Sequence, residues 1–168
     1  HEAAPDVKLV INDYGIIGGG GKADTLYRIA KRFVEEGVPL HAIGFQTHWM
    51  GRGHPSAEKI TANLQRFADL GLEVHVTEMD VATTPLKGDR EAKLEEQARR
   101  YKLLLDAASK VDNFTVFQTW GFTDNYTWVP KFKNWPDDEP LLFDKDYKPK
   151  PAFRAVHEAL EQRVRATP

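Results

Sequence analysis

Short apolar strand patterns alternate with amphipathic helix patterns four times along this chain of 168 residues. The predicted strands cover residues 7–11, 42–46, 73–77 and 114–119, and a helical pattern follows each of them. Strict alternation of strands and helices indicates a parallel sheet whose strands are joined by right-handed crossovers. Two architectures satisfy this order: an open doubly wound sheet, and part of a (β/α)8 barrel.

The helical patterns have recognisable start and stop residues. Ser56 suits an N-cap position, Asp89 is expected to begin a longer charged helix, Pro151 suits a first helical position, and Gly37 and Gly71 suit positions just after a helix. The apolar residues that these patterns place on one face are Leu26, Ile29, Phe33 and Val34, then Ile60, Leu64, Phe67 and Ala68, then Leu94, Ala98, Tyr101, Leu104 and Leu105, and finally Phe153, Val156 and Leu160.

The residues at the strand ends favour the barrel. Tyr14, His48, Glu78 and Trp120 each lie at or just after the carboxyl end of a predicted strand, which is where barrel enzymes build their active sites. Four βα units make half of an eight-unit barrel, so we predict a single partial domain over residues 1–168. The first and last strands of such a half-barrel have unpaired edges.

Composition narrows the range of partners. Hydrophobic residues make up 41% of the chain and charged residues 29%, and the formal net charge is −2. This balance gives no sign of a nucleic-acid or anionic-membrane partner, and no apolar run approaches the roughly 20 residues of a membrane span. The chain has no cysteine, and its histidines show no metal-ligand spacing, so we expect neither a metal site nor a cofactor.

Glu78 is the best candidate for a nucleophile, because an ionised carboxylate at a barrel mouth could attack an anomeric carbon. The alternative is a glutamate that is salt-bridged or simply exposed at the end of a strand. His48 and Asp80 shift the balance: a histidine on the neighbouring strand could bond Glu78 through one ring nitrogen and Asp80 through the other. We therefore predict a site built on these three residues.

Four further residues are candidates for sugar binding. Gln46 lies two residues before the histidine, so it is expected to point to the same side of its strand. Trp120, Trp128 and Tyr14 could stack on pyranose faces, and Trp128 lies in an irregular loop predicted for residues 123 to about 141. Tryptophans are more often core residues, but their position at strand ends and in a polar loop favours the site.

The sequence resembles glycoside hydrolase family 10, the endo-β-1,4-xylanases. Six segments carry the resemblance in the expected order: LVINDY (9–14), IGFQTH (43–48), VHVTEMD (74–80), WGFTD (120–124, with Trp128 beyond it), PLLFD (140–144) and KPKPA (148–152). The family is a (β/α)8 barrel of retaining enzymes, so the resemblance implies that Glu78 is the nucleophile and that His48 and Asp80 support it. It also implies that the sugar subsites are lined by Gln46, Tyr14, Trp120 and Trp128.

The resemblance makes this chain strands 5–8, the C-terminal half of the barrel. The family's general acid/base glutamate lies at the end of strand four, in a Trp-Asp-Val-Val-Asn-Glu-like motif, and no such motif occurs here. Double displacement needs two carboxyl groups about 5–5.5 Å apart. We therefore expect that the N-terminal half supplies the acid/base and that the isolated chain is inactive.

Three hypotheses remain open. The first is a xylanase, secreted as the resemblance implies, that becomes active on xylan or xylo-oligosaccharides when an N-terminal half-barrel completes it. The second is a catalytically incomplete half-barrel that pairs with a second copy of itself and at most binds xylo-oligosaccharides. The third is another retaining glycosidase of the same broad barrel group, which acts on a different glycan.

Overall fold

The computed structural model of this chain describes residues 1–166. The strands are β1 (Val10–Asp13), β2 (Ala42–Phe45), β3 (His48–Trp49), β4 (Glu73–Val81) and β5 (Phe114–Thr119). The helices are α1 (Gly21–Glu35), α2 (Ala57–Ala68), α3 (Arg90–Ala108), α4 (Val129–Lys133) and α5 (Pro151–Ala166). One 3-10 turn, Asp124–Tyr126, precedes α4.

The pairings between these strands are all parallel, as the alternation predicts. The order across the sheet is β1-β2-β4-β5, and the short β3 pairs with the carboxyl-terminal end of β4. Within residues 1–166, β1 pairs with β2 alone and β5 pairs with β4 alone. Both outer strands of the sheet therefore keep one free edge.

The two faces of the sheet differ in chemistry. The covered face packs against the helices through fully buried apolar side chains: Ile43, Phe45, Val74 and Val76. The open face carries polar side chains that hydrogen-bond to other side chains of the sheet: Asn12, Glu73, His75 and Thr77. In a (β/α)8 barrel the helices cover the outer face of the sheet. The apolar, helix-covered face therefore corresponds to the outside of a barrel and the open polar face to its inside.

Most predicted helix faces are buried. Ile60, Leu64 and Phe67 of α2 are fully buried, and so are the five apolar residues predicted for α3, or nearly so. Ile29 and Val34 of α1, which the pattern places on the same face as Leu26, are 42% and 38% exposed. α1 follows the edge strand β1 and packs on one neighbouring helix, α2, so part of its apolar surface has no cover within the described residues. No helix among those residues is long and apolar enough to cross a membrane.

Four of the predicted strand bounds are wrong. The first strand runs from Val10 to Asp13 rather than over 7–11, and the second ends at Phe45, with β3 following after a break. The third continues to Val81, past its predicted end at residue 77. The loop that was predicted to be irregular contains the 3-10 turn and α4.

Candidate active site

A shift of register within β4 turns Glu78 and Asp80 onto the open face. Strict alternation from Val76, which lies on the covered face, would place both carboxylates against the helices. Between Val76 and Met79, however, β4 advances by three residues while β5 advances by two. This extra residue is a β-bulge, and it returns Met79 to the apolar core. The residues on either side of Met79 therefore face away from the helices.

The resulting side chains form one continuous hydrogen-bonded chain. Asn12 Nδ2 donates to Glu78 Oε1 at 2.7 Å, and the other carboxylate oxygen, Oε2, lies 3.2 Å from His48 Nε2. The second ring nitrogen of His48, Nδ1, lies 2.9 Å from Asp80 Oδ1. Trp128 Nε1 donates to Asp80 Oδ2 at 2.7 Å. The structure thus brings together Glu78, His48 and Asp80, with Asn12 and Trp128 closing the two ends.

Asn12 has no predicted role, although its contact with Glu78 is the shortest that this carboxylate makes. Its own carbonyl oxygen accepts a hydrogen bond of 2.7 Å from Thr77 Oγ1, which fixes the amide so that the NH₂ group faces Glu78. Gly44 lies between Asn12 and Thr77. A Cβ at this position would come within 2.5 Å of Asn12 Oδ1, so only glycine lets the Asn12 side chain lie here. The signal that could have identified Asn12 is its position, a polar residue near the carboxyl end of a strand.

The position of His48 depends on a break in the strand that precedes it. Thr47 has a φ of 62°, a left-handed conformation that is a marked outlier for a β-branched residue. Its hydroxyl donates to Phe45 O at 3.0 Å, which supports the turn. The break separates β2 from β3, in which His48 pairs with Asp80 across the sheet. Backbone strain of this kind is typical of functional sites.

Burial and hydrogen bonding shift the titration of this network. Burial disfavours the charged imidazolium of His48, but the hydrogen bonds and charges of Asp80 and Glu78 outweigh it, so the pKa of His48 lies above its usual value. Burial raises the pKa of Asp80, against the opposing effects of His48 and Trp128. We infer that Asp80 holds His48 in one orientation and favours its protonated form.

The aromatic candidates lie in different environments. Trp128 is half-buried, with its ring edge-on to His48 at a centroid distance of 5.1 Å and stacked obliquely on Phe132 at 4.7 Å. Tyr14 is 63% exposed, with the Lys22 ammonium 3.6 Å from its ring centre. Trp120 is 47% exposed at the end of β5. These rings are not core residues, and their role in sugar binding remains a prediction.

Gln46 is partly buried directly after β2, where its backbone N–H donates to Asp13 O at 3.0 Å. The prediction that it shares a side with His48 assumed an unbroken strand, and the left-handed turn at Thr47 interrupts that alternation. Its place in a sugar subsite remains a prediction.

The network contains one carboxylate suited to covalent catalysis. Glu78 is held by two donors on the open face, with 12% of its side chain exposed. The other carboxylate, Asp80, is fully buried and already bonded through both oxygens to His48 and Trp128. It is therefore unsuited to protonating a leaving group.

Within residues 1–166, no group of three or more His, Asp or Glu side chains could hold a metal ion. A groove of about 520 Å³ has a lining that includes Thr83, Arg90, Glu139 and Asp144. None of its lining residues belongs to the predicted site. The network around Glu78 lies on the open face of the sheet.

Known proteins resemble this chain over almost all of its length. A sequence model of glycosyl hydrolase family 10 matches residues 1–159. The chain is 39% identical over 165 residues to endo-1,4-beta-xylanase B of Thermotoga neapolitana, covering 98% of this chain and 46% of the relative. It is 38% identical to a beta-1,4-xylanase of Dictyoglomus thermophilum, with coverages of 91% and 46%. The chain therefore spans about half the length of these relatives.

The chain also spans about half the length of similar solved structures. Xylanase 10B of Thermotoga maritima superposes with a TM-score of 0.89 at 41% identity, covering 98% of this chain and 50% of the other. Xylanase 10B of Thermotoga petrophila, in complex with xylobiose, superposes with a TM-score of 0.88 at 38% identity, with coverages of 97% and 49%. The prediction of half a (β/α)8 barrel is confirmed. By sequence match and by fold, this chain belongs to glycosyl hydrolase family 10.

Proposed function

We propose that residues 1–168 are the C-terminal half of the barrel of a retaining endo-β-1,4-xylanase and that Glu78 is its nucleophile. The observation that carries the proposal is the placement of the Glu78 carboxylate. It lies near the carboxyl end of the central strand, turned onto the open face by a bulge and held by Asn12 and His48. Relatives of about twice this length are named xylanases.

The proposed reaction is a double displacement. A carboxylate oxygen of Glu78 attacks the anomeric carbon as the glycosidic bond breaks, and a glutamic acid of the N-terminal half protonates the departing oxygen. Water then attacks the same carbon, the conjugate base of that acid takes its proton, and the bond to Glu78 breaks. The two carboxyl groups and water suffice, so no cofactor is invoked.

The neighbours of Glu78 have supporting roles in this proposal. Asn12 and His48 each direct a hydrogen bond at one carboxylate oxygen, which fixes the orientation of the nucleophile. Asp80 fixes the imidazole from its far side. Glu78 loses its negative charge when the covalent bond forms and regains it when the intermediate is hydrolysed. A partly charged His48 stabilises the carboxylate that forms again in the second step.

The substrate is proposed to be xylan or its oligosaccharides. A similar structure is a complex with xylobiose, and the exposed rings of Tyr14 and Trp120 are suited to stacking on pyranose faces. Trp128 lies beside His48 and would border the reacting sugar, and Gln46 would contribute hydrogen bonds. Another β-linked glycan is an alternative substrate. Comparing hydrolysis rates on a panel of polysaccharides distinguishes the two.

The proposed partner is an N-terminal half-barrel. β1 and β5 each have a free edge within the described residues, and the surface beside β1 carries exposed apolar side chains: Val7, Leu9, Val10, Ile29 and Val34. A second half-barrel would pair both edges and cover this surface. A second copy of the chain would also pair the edges, but it would bring a second Glu78 rather than an acid/base glutamate.

The test uses a completed barrel, defined as this chain fused behind the N-terminal half of the Thermotoga neapolitana relative. We expect reducing-sugar release from xylan by the completed barrel, and none by the isolated chain. Loss of activity in Glu78→Gln with an unchanged circular dichroism spectrum supports the nucleophile. A folded but inactive completed barrel contradicts the proposal, and sedimentation of the isolated chain as a stable dimer favours self-pairing.

The site of action is proposed to be outside the cell, because polymeric xylan does not cross a membrane. One similar structure is described as an intracellular xylanase, from Thermoanaerobacterium saccharolyticum. Secretion therefore belongs to the proposal for this protein and is tested by locating the activity in a culture of the source cells.

A further inference from the structure

A buried ion pair lies at the base of the loop that carries Trp128. Lys150 Nζ contacts Asp124 Oδ2 at 2.7 Å, and 3% and 0% of the two side chains are exposed. Asp124 begins the 3-10 turn after β5, and Lys150 immediately precedes α5. The pair therefore joins the start of the loop to the start of the last helix.

The same two side chains also hold the returning end of the loop. Asp124 Oδ1 accepts a hydrogen bond of 2.7 Å from Leu141 N, and Lys150 Nζ donates to Glu139 O at 2.7 Å. The segment between these contacts is attached to the core as well, because Pro140 O accepts from Val81 N and from Tyr101 Oη. Residues 125–138 thus leave and rejoin the domain at one fixed base.

The fixed base of the loop lies next to the hydrogen-bonded network of Glu78, His48 and Asp80. Val81 directly follows Asp80 in β4, and within the loop Trp128 donates its indole N–H to Asp80 Oδ2. The ion pair thus helps to fix the segment that carries the indole, together with Asp138, whose carboxylate accepts from Thr83 N and Thr84 N. Burying this ion pair has a desolvation cost. Burial raises the pKa of Asp124 to about 6 despite the nearby Lys150 ammonium. An apolar pair would avoid that penalty, but it could neither accept from Leu141 N nor donate to Glu139 O.

We infer that Asp124 and Lys150 are positioning residues that hold the Trp128 loop so that its indole keeps Asp80, and through it His48, aligned on Glu78. This inference rests on the proposed function for its catalytic consequence. The structural link, from the ion pair through the loop to the indole, can be measured without any turnover.

The first experiment follows the indole N–H resonance of Trp128 in the completed barrel, assigned by its loss in Trp128→Phe. We expect Asp124→Asn and Lys150→Met each to shift or broaden this resonance while the circular dichroism spectrum stays that of a folded protein. Asp146→Asn is the matched control, because Asp146 is an exposed carboxylate that faces Lys148 at 3.8 Å, and it should leave the resonance in place. An unmoved Trp128 resonance in folded Asp124→Asn overturns the inference.

Either single variant could leave a buried charge unpaired and fail to fold. The double variant Asp124→Asn/Lys150→Met removes both charges and keeps an oxygen to accept from Leu141 N, so it is expected to fold. Its lost donor to Glu139 O should still displace the indole resonance. A native resonance in the folded double variant also overturns the inference.

The second experiment measures kinetics per folded molecule. We expect kcat to fall roughly tenfold in Asp124→Asn, because small displacements of catalytic groups are costly, and the pH profile to change with the environment of His48. A merely structural role would lower the folded fraction and leave the pH profile of the remaining enzyme unchanged. Should the parent completed barrel be inactive, the proposed function fails, and the indole measurement still decides the positioning role.

Discussion

The two ends of β4 each place a glutamate beside a histidine, and they differ in what else holds the carboxylate. At the amino end, Glu73 Oε2 lies 3.0 Å from His75 Nε2 and 2.9 Å from Thr115 Oγ1, while Oε1 contacts the Lys8 ammonium. At the carboxyl end, Glu78 has an amide and an imidazole as its partners. A glutamate next to a histidine is therefore not, by itself, the mark of a catalytic site.

The difference shows in the titration of the amino-end carboxylate. The hydrogen bonds from Lys8 and His75 lower the pKa of Glu73 to about 2, against the opposing effect of burial. A carboxylate committed to a lysine is a poor nucleophile, because attack would require breaking an ion pair. Glu78 has no lysine among its hydrogen-bond partners in the described residues, so the comparison supports the proposal that Glu78, rather than Glu73, is the nucleophile.

The largest expected effect separates the two glutamates directly. In the completed barrel, Glu78→Gln should lower kcat on xylan by about 10⁴-fold or more, because the amide cannot form the glycosyl-enzyme. Glu73→Gln, the matched control at the other end of β4, should leave kcat within about threefold of the parent. Initial rates at saturating xylan check both values, and equal losses in the two variants would erase the contrast.

The next effect tests the amide that holds Glu78. Asn12→Ala should lower kcat by about 10- to 100-fold, because one of the two donors that orient the nucleophile is lost. Thr77→Val is the matched control: it removes the hydrogen bond to Asn12 Oδ1 but keeps the donor to Glu78, so its loss should be smaller. A larger loss in Thr77→Val than in Asn12→Ala would show that the amide acts on something other than Glu78.

The third effect is a pH dependence of stability that comes from His48, at the carboxyl end of β4. The pKa of folded His48 is raised above its usual 6.5, so its stabilising contribution is fully present below that pH and is lost as pH rises through the folded pKa. Urea unfolding of the chain at a series of pH values should show stability declining in that alkaline window. His48→Gln should remove this part of the decline, and an unchanged profile would count against a charged His48.

The smallest effect belongs to the amino end and has the opposite direction. Glu73 has a lowered pKa, so its contribution is present above its usual 4.5 and is lost as pH falls from there toward about 2. Lys8 is 60% exposed, so solvent screening limits the contribution to about 1 kcal/mol or less. Lys8→Met should therefore flatten the acid limb of the urea-unfolding profile slightly and leave the alkaline limb unchanged. A flattened alkaline limb would mean that the two ends are coupled.

The sequence allowed the alternation of strands and helices and the parallel sheet to be predicted, because both follow from local patterns. It also placed Glu78, His48 and Asp80 near strand ends, where the structure brings them into contact, and their catalytic roles stay a prediction. The geometry that presents Glu78 was not predictable. Period-two alternation from Val76 places Glu78 on the covered face, and only the bulge after Val76 reverses it. Bulges depend on pairing with a neighbouring strand, which a single strand's sequence does not encode.

Two other features escaped sequence reasoning for related reasons. The left-handed turn at Thr47 contradicts the preference of a β-branched residue, so tertiary contacts outweigh local propensity there. Ile29 and Val34 have the spacing of a buried helix face, but within the described residues they are only partly covered, at 42% and 38% exposed. Helical periodicity predicts which side chains require burial, and it does not reveal whether the covering element is part of the chain.

The most direct test of the central claim is to trap the covalent intermediate. The completed barrel is treated with a fluorinated xylobioside that carries a dinitrophenyl leaving group, since such a leaving group departs without acid assistance and the fluorine slows hydrolysis of the intermediate. We predict one equivalent of label, found by peptide mass spectrometry on Glu78 and absent in Glu78→Gln. A label on Glu73 or on another residue, or a folded and active barrel that takes up none, would contradict the account.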